Sequence, residues 1–224
     1  MTDLDPDAWA LPPGLRARLA TQADDPGPAL ADDERRRARA FAHPARRRQF
    51  ALGRLAARTL AADVLGGAPQ SVALGVADDG APTLPGAHVS IAHTGRGADV
   101  AALAAVARVP VGVDIERIAP RRDTLWRRLL GPDEHGLLDA LGGPTDEAQT
   151  LLWVLKESVL KAQRTGFRAS ARSVRLALDA DGEVPARGRG AAASGAGGWR
   201  LAFGREGDLW LAVAWAAPDA DGAA

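Results

Sequence analysis

The stretch WVLKESVLKA (residues 153–162) contains both lysines of a chain that otherwise uses arginine for its basic side chains. Of the 28 Lys and Arg residues, 26 are Arg, and Lys156 and Lys161 flank Glu157. Apolar residues recur through residues 147–164 at the spacing of one buried helical face, which predicts an amphipathic helix. This apolar stripe consists of Ala148, Leu151, Leu152, Leu155, Val159 and Ala162.

Glu157 and Lys161 lie nearly opposite the apolar stripe and are neighbours on the helix surface. One interpretation is an exposed ion pair that stabilises the helix by about 0.2–0.5 kcal/mol. The other is a second, covered face, because Trp153 lies on the same side and a large aromatic ring favours burial. Buried charges need a partner or a ligand, and a Lys ammonium is a compact point charge that suits phosphate.

The stretch VGVDIERI (residues 111–118) alternates apolar and polar residues, which predicts a strand. Gly112, Asp114 and Glu116 share one face, with the two carboxylates about 7 Å apart at Cα. Gly112 leaves room for another group to approach the backbone. The carboxylate pair suits Mg²⁺, which prefers oxygen ligands. The alternative is a solvated edge strand on which Glu116 pairs with Arg117.

The segment of residues 45–65 predicts a helix bounded by Pro44 and Gly66. Its arginines include Arg46, Arg47, Arg54 and Arg58, and the last three share a stripe. Arginine clusters bind phosphate bidentately, but an ordinary solvated face gives the same pattern. His93 follows a predicted strand, beside Thr94, where it can meet a ligand. The spacing of the four histidines fits no zinc site.

Elsewhere, short apolar runs separated by turn residues predict strands, and the mixture with helices predicts an α+β protein. Strands are expected at residues 71–77, 88–94, 99–107, 173–178, 199–203 and 209–214. A helix is expected to begin at Asp32, another over 125–141, and a short one over 15–19. Residues 181–198 have loop composition, and residues 218–224 are expected to be disordered.

The overall composition is that of a globular protein with a real core. The chain has 224 residues, 46% of them hydrophobic, and 28 acidic residues balance 28 basic ones. Balanced charge argues against nucleic acid and anionic membranes as partners. The absence of cysteine excludes disulfides and a thiol nucleophile. No secretory leader or membrane span is expected, so a cytoplasmic location is predicted.

Four motifs, taken in order, resemble the Sfp-type 4′-phosphopantetheinyl transferases. They are RRRQFALGR (46–54), GAPTLPGAHVSIAHTG (80–95), VGVDIE (111–116) and WVLKESVLKA (153–162). Each motif alone is weak, but their order and spacing together are specific, and they cover about residues 30–170. The RRRQF…GR form is similar to the branch that serves siderophore and polyketide assembly lines.

The resemblance implies two similar α/β halves related by a pseudo-twofold axis, residues 1–108 and 109–224, with the active site in their cleft. It implies a monomer that transfers the 4′-phosphopantetheine group of coenzyme A to a carrier-protein serine and releases 3′,5′-ADP. The partner would be an acyl- or peptidyl-carrier protein of a polyketide, nonribosomal peptide, siderophore or fatty-acid synthase. The arginines of residues 35–39 or 127–128 could contact this acidic partner.

The resemblance also implies roles for individual residues. Mg²⁺, with Mn²⁺ as a possible substitute, would be bound by Asp114, Glu116 and Glu157. Glu157 would be the general base, and Lys161 would stabilise the diphosphate and the departing ADP. The coenzyme A contacts would come from Arg46, Arg47, Arg54, His93, Thr94, Lys156 and Lys161.

The chain departs from the family pattern at two positions. The family usually has Lys beside the Gly of its G-x-P motif, whereas Asp79 and Ala81 flank Gly80 here. Arg96 could supply the missing cation. Ala92 stands where the family has Ser before its His, so that hydroxyl is absent.

Two other functions are compatible with the same residues. The acidic triad could serve a metal-dependent phosphodiesterase or nuclease, although the chain lacks the basic and aromatic pattern of nucleic-acid binding. The arginine-rich helix could instead belong to a non-enzymatic module that docks an acidic protein.

Overall fold

The first of the two larger antiparallel sheets among the described residues comes from the amino-terminal part of the chain. The computed structural model describes residues 1–97, 99–120, 129–131, 134–165, 170–178, 187–193 and 198–217. Within these residues the sheet has four strands in the order β1-β2-β6-β5. The strands are β1 (Thr2–Asp3), β2 (Arg16–Thr21), β5 (His88–Thr94) and β6 (Ala101–Ala107). Between them, β3 (Gly75–Val76) and β4 (Pro82–Thr83) form a separate hairpin.

Two helices, α1 (Asp32–Ala40) and α2 (Pro44–Leu65), accompany this sheet. The predicted bounds of α2 are confirmed: Pro44 lies in its first turn, His43 Nδ1 accepts a hydrogen bond from Ala45 N, and Gly66 caps its end at φ +84°. Gly53 lets α2 approach β5 closely, because a Cβ there would lie 2.7 Å from Ile91 Cγ2. None of the described helices is long and apolar enough to cross a membrane.

The second sheet comes from the carboxy-terminal part of the chain. Among the described residues its order is β7-β11-β10-β9-β8, antiparallel throughout. The strands are β7 (Val111–Arg117), β8 (Arg175–Leu178), β9 (Arg187–Ala193), β10 (Trp199–Glu206) and β11 (Leu209–Ala216). The short helix α3 (His135–Ala140) precedes α4 (Asp146–Ala162), which packs on β7 and β11. Thr145 caps α4 by accepting from Ala148 N.

The two sheets meet where β5 packs beside β7. Ser90 Oγ on β5 accepts a hydrogen bond from Val113 N on β7, at 3.1 Å. A single apolar cluster joins Leu103 of the first sheet to Val113 and Leu211 of the second. The carboxylate strand β7 therefore lies at the junction of the sheets, next to the strand that carries His93.

Three of the predicted elements differ from the structure. Residues 16–19 belong to strand β2, and Leu15 directly precedes it, so no helix forms here. Leu15, Ala17 and Leu19 are buried while Arg16 is exposed, which is the period of a strand. Only Gly75–Val76 of the expected strand 71–77 is a strand. The expected loop 181–198 contains β9, which pairs between β8 and β10.

Several expectations fall partly outside the described residues. Of the helix predicted over residues 125–141, residues 125–128 and 132–133 lie outside them, and His135–Ala140 is helical. The arginines at residues 127–128 and the tail of residues 218–224 also lie outside them. The helix predicted over 147–164 is confirmed as α4, which ends at Ala162.

Candidate active site

A pocket of about 950 Å³ lies between α4 and β7 on one side and β5 with the preceding turn on the other. Most of its charged side chains, including Glu157 and Lys161, come from the carboxy-terminal elements, and Asp79 lies on the opposite side. The lining residues used below are Asp79, Gly80, Ala81, His93, Asp114, Glu116, Trp153, Glu157, Lys161 and Arg164. The three predicted metal ligands therefore share one pocket with Lys161 and His93.

Gly112 explains why α4 and β7 bring their charged side chains to the same place. A Cβ on Gly112 would lie 2.0 Å from Ser158 O and 2.3 Å from Ala162 N, so the helix backbone packs directly on the strand. This confirms the prediction that Gly112 admits another group. The close approach places Glu157 and Lys161 of α4 beside Asp114 of β7.

Asp114 is the most buried carboxylate of the pocket. Its Oδ1 accepts a 2.6 Å hydrogen bond from Lys161 Nζ, whereas its buried Oδ2 has no hydrogen-bond partner among the described residues. Burial raises the pKa of Asp114 to about 6, although Lys161 opposes the rise; the negative charges of Glu116 and Glu157 add to it. A cation beside Oδ2 would relieve this cost.

Glu157 and Glu116 complete the acidic group. Burial raises the pKa of Glu157, Lys161 opposes that rise, and Glu116 adds to it. Glu116 Oε2 accepts a hydrogen bond from Thr94 Oγ1 at 3.2 Å, which links β7 to β5. A carboxylate with a raised pKa in a pocket is a candidate proton acceptor.

These carboxylates fit a hard divalent cation in chemistry, although they do not form a preassembled cage. Across the part of the chain that the structure describes, no group of three or more His, Asp or Glu side chains is arranged to hold a metal ion. The partnerless Oδ2 of Asp114 is nevertheless an oxygen donor of the class that Mg²⁺ prefers. Magnesium typically takes one or two carboxylates and completes its shell with water and phosphate. The ligand assignment stays a prediction.

Lys156 does not face the pocket, which corrects its prediction as a phosphate ligand. Its side chain is fully buried, and its ammonium group donates to Glu134 Oε2 at 2.6 Å and to three backbone carbonyl oxygens. These carbonyls belong to Leu129, Ala171 and Val174. The three N–H donors of the ammonium are thus fully used, and none remains for phosphate.

Arg54 is also structural, which corrects its assignment to coenzyme A binding. Arg54 and Arg58 are buried against Glu34 of α1, at 3.4 and 2.6 Å. Arg58 additionally donates to three carbonyl oxygens of residues 69–72. The alternative of a solvated arginine face is equally wrong for these two side chains, because they tie α1 and a loop to α2.

Of the remaining predicted cofactor residues, His93 and Thr94 lie at the pocket or contact its carboxylates. His93 lines it, and burial together with the charge of Arg46 lowers its pKa. Thr94 contacts Glu116 as described. Arg46 and Arg47 are exposed near the start of α2, outside the pocket lining. Their nucleotide contacts stay predictions.

One cation of the pocket was not predicted. Arg164 lines the pocket and pairs with Asp79 across its mouth, with Nη2 at 3.2 Å from Oδ1. Arg96, the expected substitute for the family's Lys, is exposed and outside the lining. The departure at Gly80 was a signal that another cation was needed, but periodicity gave no reason to select Arg164.

Comparisons with known proteins point to one family over most of the chain. Residues 110–217 match the family model described as the 4′-phosphopantetheinyl transferase superfamily, and residues 33–107 match the 4′-phosphopantetheinyl transferase N-terminal domain. A 4′-phosphopantetheinyl transferase of Bacillus subtilis is 30% identical over 161 residues, 70% of each chain.

Two further relatives match over shorter stretches. The 4′-phosphopantetheinyl transferase Sfp of Bacillus subtilis (strain 168) is 32% identical over 106 residues, 46% of this chain and 45% of its own length. The 4′-phosphopantetheinyl transferase psf-1 of Bacillus pumilus is 29% identical over 107 residues, 46% of this chain and 43% of its own length. The chain therefore matches less than half the length of these two relatives.

Proposed function

Because the chain belongs to the Sfp-type 4′-phosphopantetheinyl transferases, we propose that it transfers the 4′-phosphopantetheine group of coenzyme A to a serine hydroxyl of an acyl- or peptidyl-carrier protein. The observation that carries the proposal is the convergence of Asp114, Glu116, Glu157 and Lys161 on one pocket. Three carboxylates and an ammonium suit a metal-bound diphosphate better than a neutral substrate.

The proposal includes two similar halves, residues 1–108 and 109–224, related by a pseudo-twofold axis. The strand bounds agree with this boundary, because the last strand of the first sheet ends at Ala107 and the first strand of the second begins at Val111. The pocket is lined by residues from both parts, including His93 and Asp114. A substrate bound there would contact both halves at once.

Asp114, Glu116 and Glu157 would hold Mg²⁺ in this reaction, with Mn²⁺ as a possible substitute. When bound, the ion would supply positive charge to the diphosphate and to the leaving phosphate. Lys161 adds a point charge to the same region, because its ammonium lies 2.6 Å from Asp114 Oδ1. Asp114 Oδ2 is the oxygen whose environment most favours a cation.

Glu157 would accept the proton of the carrier serine. The serine oxygen forms a bond to the phosphorus that carries pantetheine, and the bond from that phosphorus to the bridging oxygen breaks. The leaving group is 3′,5′-ADP, whose new negative charge Lys161 would stabilise. Burial raises the pKa of Glu157, which makes it a better base than an exposed carboxylate.

The nucleotide end of coenzyme A would contact the amino-terminal part of the chain. His93 would contact a phosphate, and Arg46 and Arg47 would hold the nucleotide at the start of α2. The lowered pKa of His93 favours a neutral imidazole, which can donate a hydrogen bond but adds no charge. The proposal also expects a cytoplasmic monomer that acts on a synthase carrier domain.

Intact-mass analysis of an apo carrier protein, incubated with coenzyme A, Mg²⁺ and the purified chain, tests the proposal. A gain of one phosphopantetheine group is expected. Asp114→Ala and Glu157→Gln should each slow labelling by about 10²–10⁴-fold, because a metal ligand or base is lost. Glu147→Gln is the matched control, since Glu147 lies on the same helix but pairs with Arg205 outside the pocket. Near-normal labelling by both test variants would contradict the site assignment.

A further inference from the structure

Arg164 lies at a position where an arginine is conformationally costly. It is the residue after the helix cap Gln163, and its φ is +56°. Arg164 N donates to Lys161 O, and Thr165 N donates to Leu160 O, which is the hydrogen-bond pattern of a Schellman helix end. That pattern needs a left-handed residue, for which glycine is favoured. The helix end alone therefore does not explain the arginine.

The ion pair that Arg164 makes does not explain it either. Its Nη2 lies 3.2 and 3.4 Å from the two oxygens of Asp79, and the two side chains are 48% and 34% exposed. Exposed ion pairs contribute little to stability, because water screens them. Backbone strain that no stabilising interaction of the side chain offsets indicates a functional position.

The surroundings show what the guanidinium is available for. Of the described residues that line the pocket, Lys161 and Arg164 are the Lys and Arg side chains, against the carboxylates of Asp79, Asp114, Glu116 and Glu157. Lys161 is engaged with the buried carboxylate of Asp114. Arg164 instead has a solvent-exposed partner that a stronger anion could displace.

Asp79 is suited to hold Arg164 and to release it. It belongs to the turn closed by Gly80 N donating to Ala77 O, and its Oδ1 also accepts from Ala81 N at 3.0 Å. That backbone hydrogen bond keeps the carboxylate satisfied when the guanidinium leaves. The pair joins two residues that line the pocket and lie 85 positions apart in the chain.

We propose that Arg164 is a phosphate-binding residue. Asp79 holds its guanidinium across the pocket mouth until a phosphate of the substrate replaces the Asp79 carboxylate. A guanidinium matches phosphate geometry bidentately. The inference rests on the proposed function, since coenzyme A is taken as the phosphate-bearing substrate.

Calorimetric titration of the full chain with coenzyme A tests this role. Arg164→Gly should raise the Kd about tenfold, the value of one charged contact. The same variant should not lower Tm, because glycine relieves the left-handed strain. A purely structural arginine would instead leave the Kd unchanged and lower Tm. Arg205→Ala, which removes an exposed arginine paired with Glu147 outside the pocket, should leave the Kd unchanged.

Asp79→Asn tests the holding step separately. Its amide oxygen can still accept from Ala81 N, but the charge that competes for Arg164 is gone, so the Kd should fall about threefold. In the Asp79→Asn, Arg164→Gly double variant this gain should vanish. A gain that persists without Arg164 would show a general charge effect and overturn the holding role.

Dephospho-coenzyme A then locates the contact. If Arg164→Gly loses as much affinity for dephospho-coenzyme A as for coenzyme A, the contact is with the diphosphate. If it loses no affinity for dephospho-coenzyme A, the contact is with the 3′-phosphate. Both results support a phosphate contact. A Kd within twofold of wild type for Arg164→Gly, in a chain that still labels a carrier protein, overturns the inference and leaves the proposed function standing. A wild-type chain that neither binds coenzyme A nor labels any carrier overturns both.

Discussion

Lys156 and Lys161 lie on one helix, five residues apart, in opposite environments. Lys156 is fully buried and its ammonium has four acceptors within hydrogen-bond distance. The Lys161 side chain is 31% exposed, lines the pocket and pairs with Asp114. Burial lowers the pKa of Lys156, although Glu134 opposes the shift. One lysine thus joins elements of the core, and the other remains available to a ligand.

The comparison shows that a lysine's role depends on what lies opposite its side of the helix. Lys156 lies opposite the carbonyl groups of Leu129 and of the residue just before β8. These groups and the buried carboxylate of Glu134 need a hydrogen-bond donor. Lys161 meets β7, where Gly112 allows contact and Asp114 supplies one carboxylate. The following predictions separate the two roles.

The largest expected effect is on stability. Lys156→Met should lower the free energy of unfolding by about 3–5 kcal/mol, because it leaves Glu134 buried without its cation. Chemical denaturation monitored by tryptophan fluorescence measures it. The double variant Lys156→Met, Glu134→Gln should recover part of the loss. A stability equal to wild type for Lys156→Met would show that the buried pair is dispensable.

The next effect is on catalysis. Lys161→Ala should lower kcat for carrier labelling by about 10²–10³-fold, equivalent to about 2.7–4 kcal/mol, because a charge that stabilises the leaving group is lost. The free energy of unfolding should fall by only about 1 kcal/mol, because without Lys161 the already raised pKa of Asp114 rises further and the carboxyl takes up a proton. Single-turnover labelling, paired with denaturation of the same preparation, checks both values. Intact activity together with reduced stability would reverse the proposed division of roles.

Gly112→Ala should disturb the contact that brings Lys161 to Asp114. The added Cβ would meet Ser158 O at 2.0 Å, so α4 must shift. We expect a loss of about 1–3 kcal/mol in the free energy of unfolding and a loss of labelling activity. The control is Gly198→Ala, because a Cβ there would have no atom within 4 Å. Gly142→Ala is unsuitable, because Gly142 has φ +82° and an alanine there would be strained. Unchanged labelling by Gly112→Ala would argue against a rigid α4–β7 contact.

The smallest effect tests the choice of lysine over arginine. Lys161→Arg should retain the fold and lower labelling about tenfold, because a planar fork replaces a point charge beside Asp114. Lys156→Arg should lower stability, since a larger head group would have to enter a fully buried site. Full activity and stability in both variants would make the two lysines an accident of codon usage.

Much of the site could be predicted because its signals lie within single elements. Alternation in VGVDIE placed Asp114 and Glu116 with Gly112, and the helical stripe placed Glu157 and Lys161 away from the core. Short elements were harder to predict from the sequence. The run of residues 15–19 is too short to separate a helix period from a strand period, and the Gly- and Ala-rich β9 is a strand through its two neighbours.

The sequence by itself determined the main helices, the strand with the carboxylates and the family, because periodicity and motif order are local properties of the chain. The tertiary structure decided which charges are structural. Lys156 finds Glu134 at 22 residues' distance, Arg58 finds Glu34 at 24, and Arg164 finds Asp79 at 85. Helical and strand periods report the face on which a residue lies, but not the group that another element brings to that face. Burial and pairing depend on that group, and they separate Lys156 from Lys161.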